Sequence, residues 1–170
     1  MANRNNHYEA AFEAYLRAQG IPYIATDEAR RSVLESGETI KNLDFIVSAV
    51  RDSTRWLIDV KGRRFPSGAK HRQYWKNWST GDDLEALRRW EALFGEGFSG
   101  LLLFAFDVIG DKSPLPADRL FHYRDHLYAF LAVGYRQYLD HARTLSRRWD
   151  TVGLSAKAFR HIARPFEEFL

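Results

Sequence analysis

The first part of the chain carries hydrophobic residues at a spacing of three and four positions. Between Asn6 and Gln19 they recur as Tyr8, Ala11, Phe12, Tyr15 and Leu16. This spacing brings them to one face of a helix and predicts an amphipathic α-helix. Gly20, followed by Pro22, predicts where the helix ends, because proline cannot continue it.

Short β-rich runs follow this helix. Leu43–Val50 and Arg55–Lys61 are separated by Arg-Asp-Ser-Thr, a turn-forming sequence that predicts an antiparallel hairpin. Ile21–Ala25 is predicted to be a short strand. The polar segment Thr26–Lys41 is expected to contain a helical turn around Glu28–Leu34.

Helical and strand-like segments alternate in the second half of the chain. The sequence from Thr80 to Asp83 resembles a capping box, which predicts a helix over Leu84–Phe94. Ser99–Val108 is almost uniformly apolar, as expected of a central strand covered on both faces. The remaining segments are predicted as strands at Leu120–Tyr123 and Leu127–Val133 and as helices at Tyr135–Leu145 and Ser155–Ile162.

The order helix, strand, hairpin, helix and strand predicts an α/β fold. The 170 residues are 45% hydrophobic, which is enough for one core, so we expect a single domain over residues 1–170. No apolar run is long enough for a membrane span, and the start does not resemble a signal peptide, so a cytoplasmic protein is expected. The absence of cysteine excludes a thiolate metal site and a cysteine nucleophile.

Positive charge is concentrated in one part of the chain. The net charge is only +3, yet residues 51–78 contain eight Lys and Arg against two Asp. Tyr74, Trp75 and Trp78 lie in the same block, and residues 62–78 are predicted to form a basic aromatic loop. Such a mixture suits a phosphate backbone and exposed bases, although a solvated basic loop has the same composition.

Three ionisable residues lie within the predicted hairpin strands, where apolar residues would be expected: Asp44, Asp59 and Lys61. Side chains alternate along a strand, so Asp59 and Lys61 share one face. A two-residue turn at Arg51-Asp52 would set Asp44 opposite Asp59, and a turn at Asp52-Ser53 would set it opposite Lys61. Either register brings all three side chains to one face.

Two carboxylates and a lysine on one face of a sheet favour a metal site. Mg²⁺ binds carboxylates, backbone carbonyls and water, and the carbonyl of Val60 is a candidate ligand beside Asp44 and Asp59. Lys61 can stabilise charge on a phosphate or orient an attacking water. This chemistry points to phosphodiester hydrolysis, while a simple salt bridge between Lys61 and either aspartate is the structural alternative.

The same residues resemble a known motif. Asp44, fourteen intervening residues and then Asp59-Val60-Lys61 resemble the acidic pair and lysine of the PD-(D/E)XK nuclease superfamily. The helical sequence EAAFEAYLRAQG is similar to the helix that precedes this hairpin in Holliday-junction resolvases. The resemblance implies that Glu9 joins Asp44 and Asp59 at the metal, with Glu13, one turn later, as the alternative acid.

The resemblance also implies a fold and an activity. It covers about residues 7–108 and predicts a restriction-endonuclease-like core, to which residues 109–170 add a C-terminal β-hairpin and helices. A Mg²⁺- or Mn²⁺-dependent nuclease acting on nucleic acid, DNA rather than RNA, is the expected activity. Many such nucleases pair to cut two strands, so the resemblance is compatible with a homodimer, although the sequence does not fix the oligomeric state. The opening HYEAAFE further resembles the uncharacterised HYExAFE bacterial family, which implies no function.

The basic block directly follows the predicted active-site strand and is therefore the expected nucleic-acid groove. Its candidate contacts are Arg63, Arg64, Lys70, Arg72, Trp75 and Lys76. Core packing is the alternative for Trp75 and Trp78, because a tryptophan is more often a core residue. Arg147-Arg148-Trp149 is a second candidate contact, with surface packing as its alternative. The rival functions are a nucleic-acid-binding protein with this fold that has no turnover and a protein-interaction domain.

Overall fold

The computed structural model describes residues 6–27 and 31–170. Its helices are α1 His7–Ala18, α2 Gly81–Phe94, α3 Tyr135–His141 and α4 Ala156–Ile162. Its first strands are β1 Tyr23–Ala25, β2 Arg31–Val33, β3 Thr39–Lys41, β4 Phe45–Ser48, β5 Arg55–Phe65 and β6 Ser79–Thr80. The later strands are β7 Phe98–Val108, β8 Phe121–Tyr123, β9 His126–Gly134, β10 Arg143–Ser146, β11 Thr151–Gly153 and β12 Arg164–Pro165.

A seven-stranded mixed sheet forms the centre of the described structure. Its order is β1-β4-β5-β7-β9-β12, with β8 paired to the outer part of β9. β5 and β7 run parallel over eleven residues, and the other neighbours are antiparallel. Parallel neighbours need a crossover, and α2 lies on the connection that returns the chain from β5 to β7.

Hydrophobic clusters cover both faces of this sheet. One face carries Leu102, Phe104 and Phe106 of β7 and packs against α2, α3 and α4. The other face carries alternate residues of the same strand and packs against α1. β7 is therefore buried on both faces, which confirms the prediction from its uniform apolar sequence.

Both long helices begin within a few residues of their predicted starts. The Asn6 side chain caps α1 by accepting a hydrogen bond from the backbone N–H of Tyr8. Thr80 and Asp83 form the predicted capping box, so α2 begins at Gly81, slightly before the predicted range. These local signals succeed because a cap depends only on residues within one turn.

Several sequence predictions require correction. Residues 62–65 continue β5 and are not part of a loop. The predicted helix over Tyr135–Leu145 ends at His141, because the next residues form β10 and pair with β11. Of the helical turn predicted around Glu28–Leu34, residues 28–30 lie outside the described structure, and Arg31–Val33 is a strand paired with β3.

The C-terminal part contributes to the centre of the fold as well as to its surface. The predicted hairpin is present as β8 and β9, and β9 is an interior strand between β7 and β12. Its residues Tyr128–Val133 are buried. Residues 109–170 therefore complete the central sheet. None of the helices in the described residues is long and apolar enough to cross a membrane.

Candidate active site at the end of β5

The β4–β5 hairpin has the first of the two predicted registers. Phe45 lies opposite Ile58, and the register corresponds to a turn centred on Arg51-Asp52. Asp44 immediately precedes β4 and bridges two residues of β5. Its N–H donates to the Ile58 carbonyl at 3.0 Å, and its Oδ2 accepts from the Val60 N–H at 2.6 Å. Asp44 is thereby held opposite Asp59.

Asp59 and Lys61 project from β5 toward α2, on the same face of the sheet as Leu57. Both side chains are buried. Lys61 Nζ lies 2.6 Å from Asp59 Oδ2. Among the described residues, Lys61 is the one polar partner of that carboxylate oxygen.

Asp83, in the first turn of α2, completes a charge cluster with these residues. Lys61 Nζ also donates to Asp83 Oδ2 at 2.6 Å. The same oxygen accepts from the Ser79 hydroxyl and the Thr80 N–H at 3.2 and 3.1 Å. One carboxylate therefore caps α2 and holds the predicted catalytic lysine.

Lys41, at the end of β3, is the second cation of the cluster. Its ammonium donates to Asp83 Oδ1 and lies 3.9 Å from Asp59 Oδ1. The Trp90 indole N–H donates to the Lys41 carbonyl at 2.9 Å, which fixes β3 against α2. Two lysines and two aspartates balance one another, as buried charges require.

Burial and neighbouring charges shift the pKa values of this cluster. Burial raises the pKa of Asp59, and the negative charge of Asp83 raises it further against the opposing effect of Lys61. Burial would lower the pKa of Lys61, but the charges of Asp59 and Asp83 raise it. The pKa of Asp83 is lowered, because the charge of Lys61 and the hydrogen bonds from both lysines outweigh its burial. Lys61 is consequently a cation at neutral pH.

An open cavity of about 780 Å³ adjoins the cluster. Lys61, Lys41 and Asp83 lie in its wall, together with Asn6, Tyr8, Val60, Gly62, Arg63, Trp78, Thr80 and Asp82. The Arg63 guanidinium lies 4.1 Å from the centre of the Trp78 ring and donates to the carbonyls of Gly62 and Trp78. The volume of the cavity is typical of a ligand site.

The N-terminal helix closes one side of this cavity. Glu9 is buried, and Asn6 in the cavity wall donates to its Oε1. The Tyr8 ring lies directly against Gly62, where a Cβ atom would come within 2.1 Å of the ring. Glu13 is engaged elsewhere: its Oε1 accepts from Arg17 and from the Tyr23 hydroxyl, both at 2.9 Å. This arrangement favours Glu9 over Glu13 as the acid near the site.

The predicted metal ligands are all hard oxygen donors, the type that Mg²⁺ and Mn²⁺ prefer. Asp44 and Asp59 lie opposite one another in the hairpin, and Lys61 is the one polar partner of Asp59 Oδ2 among the described residues. No group of three or more metal-ligating side chains is gathered within the described ranges. Mg²⁺ is commonly held by one or two carboxylates and water, so this donor set fits such an ion.

The predicted nucleic-acid contacts fall into three places. Arg63 lies in the cavity wall, and Arg64 is exposed on the same strand. Lys70 and Arg72 are exposed in the loop that follows, where Lys76 is half-buried. The third place is the core, where Trp75 lies.

Trp75 packs into the core cluster on the α2 side of the sheet. Its ring centre lies 5.1 Å from that of Phe65 and 6.3 Å from those of Phe106 and Phe159. The Arg160 guanidinium lies 5.4 Å from the centre of the Trp75 ring. This packing favours the core interpretation of Trp75, and Trp78 is the tryptophan that lines the cavity.

Sequence reasoning did not identify Lys41 and Asp83 as site residues. Asp83 was recognised only as part of a helix cap, and Lys41 only as the end of a polar segment. An acidic residue in the first turn of the helix that follows the active-site strand is the signal that could have connected Asp83 with Lys61.

Comparison with known proteins supports the fold. No protein-family model and no curated protein matches the chain, so the resemblance to the HYExAFE family stays a prediction. A solved structure of Hjc, a Holliday junction resolvase from the archaeal hyperthermophile Archaeoglobus fulgidus, matches with a TM-score of 0.56 and 14% identity. The match covers 96% of this chain and 98% of the resolvase. The chain therefore has the restriction-endonuclease-like fold predicted from its motif, a mixed sheet flanked by helices.

Proposed function

We propose that the protein is a metal-dependent nuclease that hydrolyses phosphodiester bonds in DNA. The observation that carries this proposal is the position of Asp44, held opposite Asp59 by hydrogen bonds to Ile58 and Val60. Lys61 follows on the same face of β5, beside an open cavity whose wall contains three cations and two carboxylates. The fold match to a resolvase agrees with this activity.

Asp44, Asp59, the Val60 carbonyl and Glu9 are the groups that would hold Mg²⁺ or Mn²⁺. A bound ion would lower the pKa of a water molecule and offset the negative charge that develops on the phosphate. Asp44 retains its position through the Val60 N–H, so the hairpin itself presents the carboxylates.

Lys61 acts in this proposal as a cation and not as a base. The charges of Asp59 and Asp83 raise the pKa of Lys61, so it keeps its proton at neutral pH. A protonated amine can donate to a phosphate oxygen or orient the attacking water. Lys41 and Arg63 lie in the same wall, where the three cations exceed the two carboxylates of Asp82 and Asp83 by one charge, and such an excess suits an anionic substrate.

A cleavage assay tests the proposal. Purified protein is incubated with linear duplex, single-stranded and branched DNA and with RNA, each in Mg²⁺, Mn²⁺ or EDTA. We expect cleavage of DNA only with metal, and loss of cleavage in Asp44→Asn and Asp59→Asn. Equal cleavage in EDTA, or wild-type rates in both variants, would contradict the proposal.

A nucleic-acid-binding protein without turnover is the second candidate. One observation favours it: Lys41 and Lys61 already balance Asp59 and Asp83 without any ion. This candidate predicts DNA binding of the same affinity with and without metal, and no cleavage of any substrate. A homodimer is a separate prediction, which analytical ultracentrifugation tests.

A further inference from the structure

The hairpin formed by β10 and β11 presents an exposed aromatic residue among arginines. Trp149 is 68% exposed, and none of the described aromatic rings packs against it. Arg143, Arg147 and Arg148 are exposed as well. Within the described part of the chain, none of these arginines has a carboxylate at ion-pair distance. The Arg148 guanidinium lies 5.1 Å from the centre of the Trp149 ring.

The tip of this hairpin, residues 146–150, is held in a defined conformation. The Trp149 N–H donates to the Ser146 hydroxyl at 3.3 Å, and the Asp150 N–H donates to the Arg147 carbonyl at 3.4 Å. Asp150 has a positive φ of 45°, and its carbonyl accepts from the Gly81 N–H at 2.9 Å. A tip ordered in advance loses little conformational entropy when it binds a ligand.

The hairpin stands at the edge of the cavity beside the candidate active site. β11 pairs with β6, which sets Thr151 opposite Thr80 in the cavity wall. Trp149 precedes Thr151 by two residues in the turn, so their Cα atoms lie at most about 7 Å apart. The Asp150 carboxylate occupies the space beside the Gly81 Cα, so the tip abuts the first turn of α2.

We propose that this tip is a nucleic-acid contact in which Trp149 stacks on an unpaired base and Arg147 and Arg148 meet the adjoining phosphates. The inference rests on the proposed function, because it places the substrate beside the same cavity. An exposed indole face suits a base that is not already stacked within a duplex. The arginines without acidic partners supply the charge complementarity for a polyanion.

Equilibrium binding in EDTA, measured by fluorescence anisotropy, tests this proposal without turnover. The probes are a short single strand and a blunt-ended duplex hairpin. Trp149→Ala should weaken single-strand binding by about five- to 150-fold and duplex binding less. Trp149→Phe should retain most of the affinity, whereas Trp149→Leu should behave like the alanine variant. Replacing Arg147 and Arg148 together by Ala should reduce the slope of log K against log salt for single-strand binding by about 1.4.

The results separate this proposal from the proposed nuclease activity. Equal single-strand affinities of wild type, Trp149→Phe and Trp149→Leu would overturn the stacking contact while leaving cleavage intact. Failure of the wild type to bind a single strand would overturn it too. Conversely, the predicted Trp149 effect without cleavage of any substrate in Mg²⁺ or Mn²⁺ would support the contact and overturn the nuclease. Circular dichroism melting curves serve as the control that each variant is folded.

Discussion

Lys61 Nζ lies 2.6 Å from Asp83 Oδ2 and so joins the end of β5 to the first turn of α2. The lysine of the candidate site therefore keeps an acidic partner whether or not Asp59 is engaged. This second partner distinguishes the cluster from a simple pair between Lys61 and Asp59. Replacing Asp59 and replacing Asp83 should therefore have different effects on the free energy of unfolding.

The two buried aspartates form a matched pair of variants. Asp59→Asn should leave the free energy of unfolding unchanged or raise it, because burial and Asp83 raise the pKa of Asp59 and Lys61 retains Asp83. Asp83→Asn should lower it by about 3 kcal/mol, as expected when one partner of a buried pair is removed. Urea unfolding without metal measures both. A larger loss in Asp59→Asn than in Asp83→Asn would favour the salt-bridge interpretation of Asp59.

The effect of pH should follow from Asp83. Its pKa is lowered in the folded protein, so its contribution to stability is complete above the ordinary Asp value of about 3.9 and is lost as the pH falls further. Measured in the Asp59→Asn background, where Asp59 no longer titrates, the loss of unfolding free energy caused by Asp83→Asn should be constant from neutral pH to that value and then shrink. The pKa of Asp59 is raised in the folded protein, so ionisation of Asp59 lowers the free energy of unfolding as the pH rises. A difference that shrinks above pH 5 would show that another group is responsible.

Lys61 should separate catalysis from binding. Lys61→Ala should reduce DNA cleavage by about 100-fold or more, the effect of losing one donor to a developing anion. DNA affinity measured in Ca²⁺ should change little. Lys41→Ala serves as the comparison on the opposite side of Asp83. Equal losses of binding and turnover in Lys61→Ala would identify Lys61 as a phosphate contact instead.

The two helical glutamates can be told apart by metal binding. Glu9→Gln should weaken Mn²⁺ binding measured by calorimetry, because Glu9 is buried beside the cavity residue Asn6. Glu13→Gln should leave Mn²⁺ affinity unchanged, since its carboxylate interacts with Arg17 and Tyr23. The reverse order would assign Glu13 to the metal.

The salt dependence of duplex binding tests the basic residues of β5. Each cation that meets a phosphate contributes about 0.9 to the slope of log K against log salt. Replacing Arg63 and Arg64 together by Ala should flatten the slope by nearly two. Arg88→Ala is a suitable control, because Arg88 is exposed on α2 and paired with Glu85. An unchanged slope would remove these arginines from the groove and direct attention to Arg147 and Arg148.

Local patterns predicted much of the fold and the central part of the site. Strand alternation and a turn with an even number of residues were enough to bring Asp44, Asp59 and Lys61 to one face, because both depend on a single hairpin. The sequence left Asp59 and Lys61 as alternatives opposite Asp44, and the register of the structure selects Asp59. Lys41 and Asp83 were missed because their contacts join elements that only tertiary packing brings together. The segment after His141 was misread as helix for a similar reason, since its strand pairing with β11 outweighs local helix propensity.

The pairing of β5 with β7 has a consequence for the order of folding. Arg55 lies beside Phe98 and Phe65 beside Val108, so every contact of this ladder joins residues about 43 positions apart in sequence. Such non-local parallel pairing closes a long loop and forms slowly. During synthesis the β4–β5 hairpin emerges well before β7, so the nascent chain carries Asp44 and Asp59 before it has the support of the central sheet. The candidate active centre is therefore completed late, after the ribosome has released the second half of the sheet.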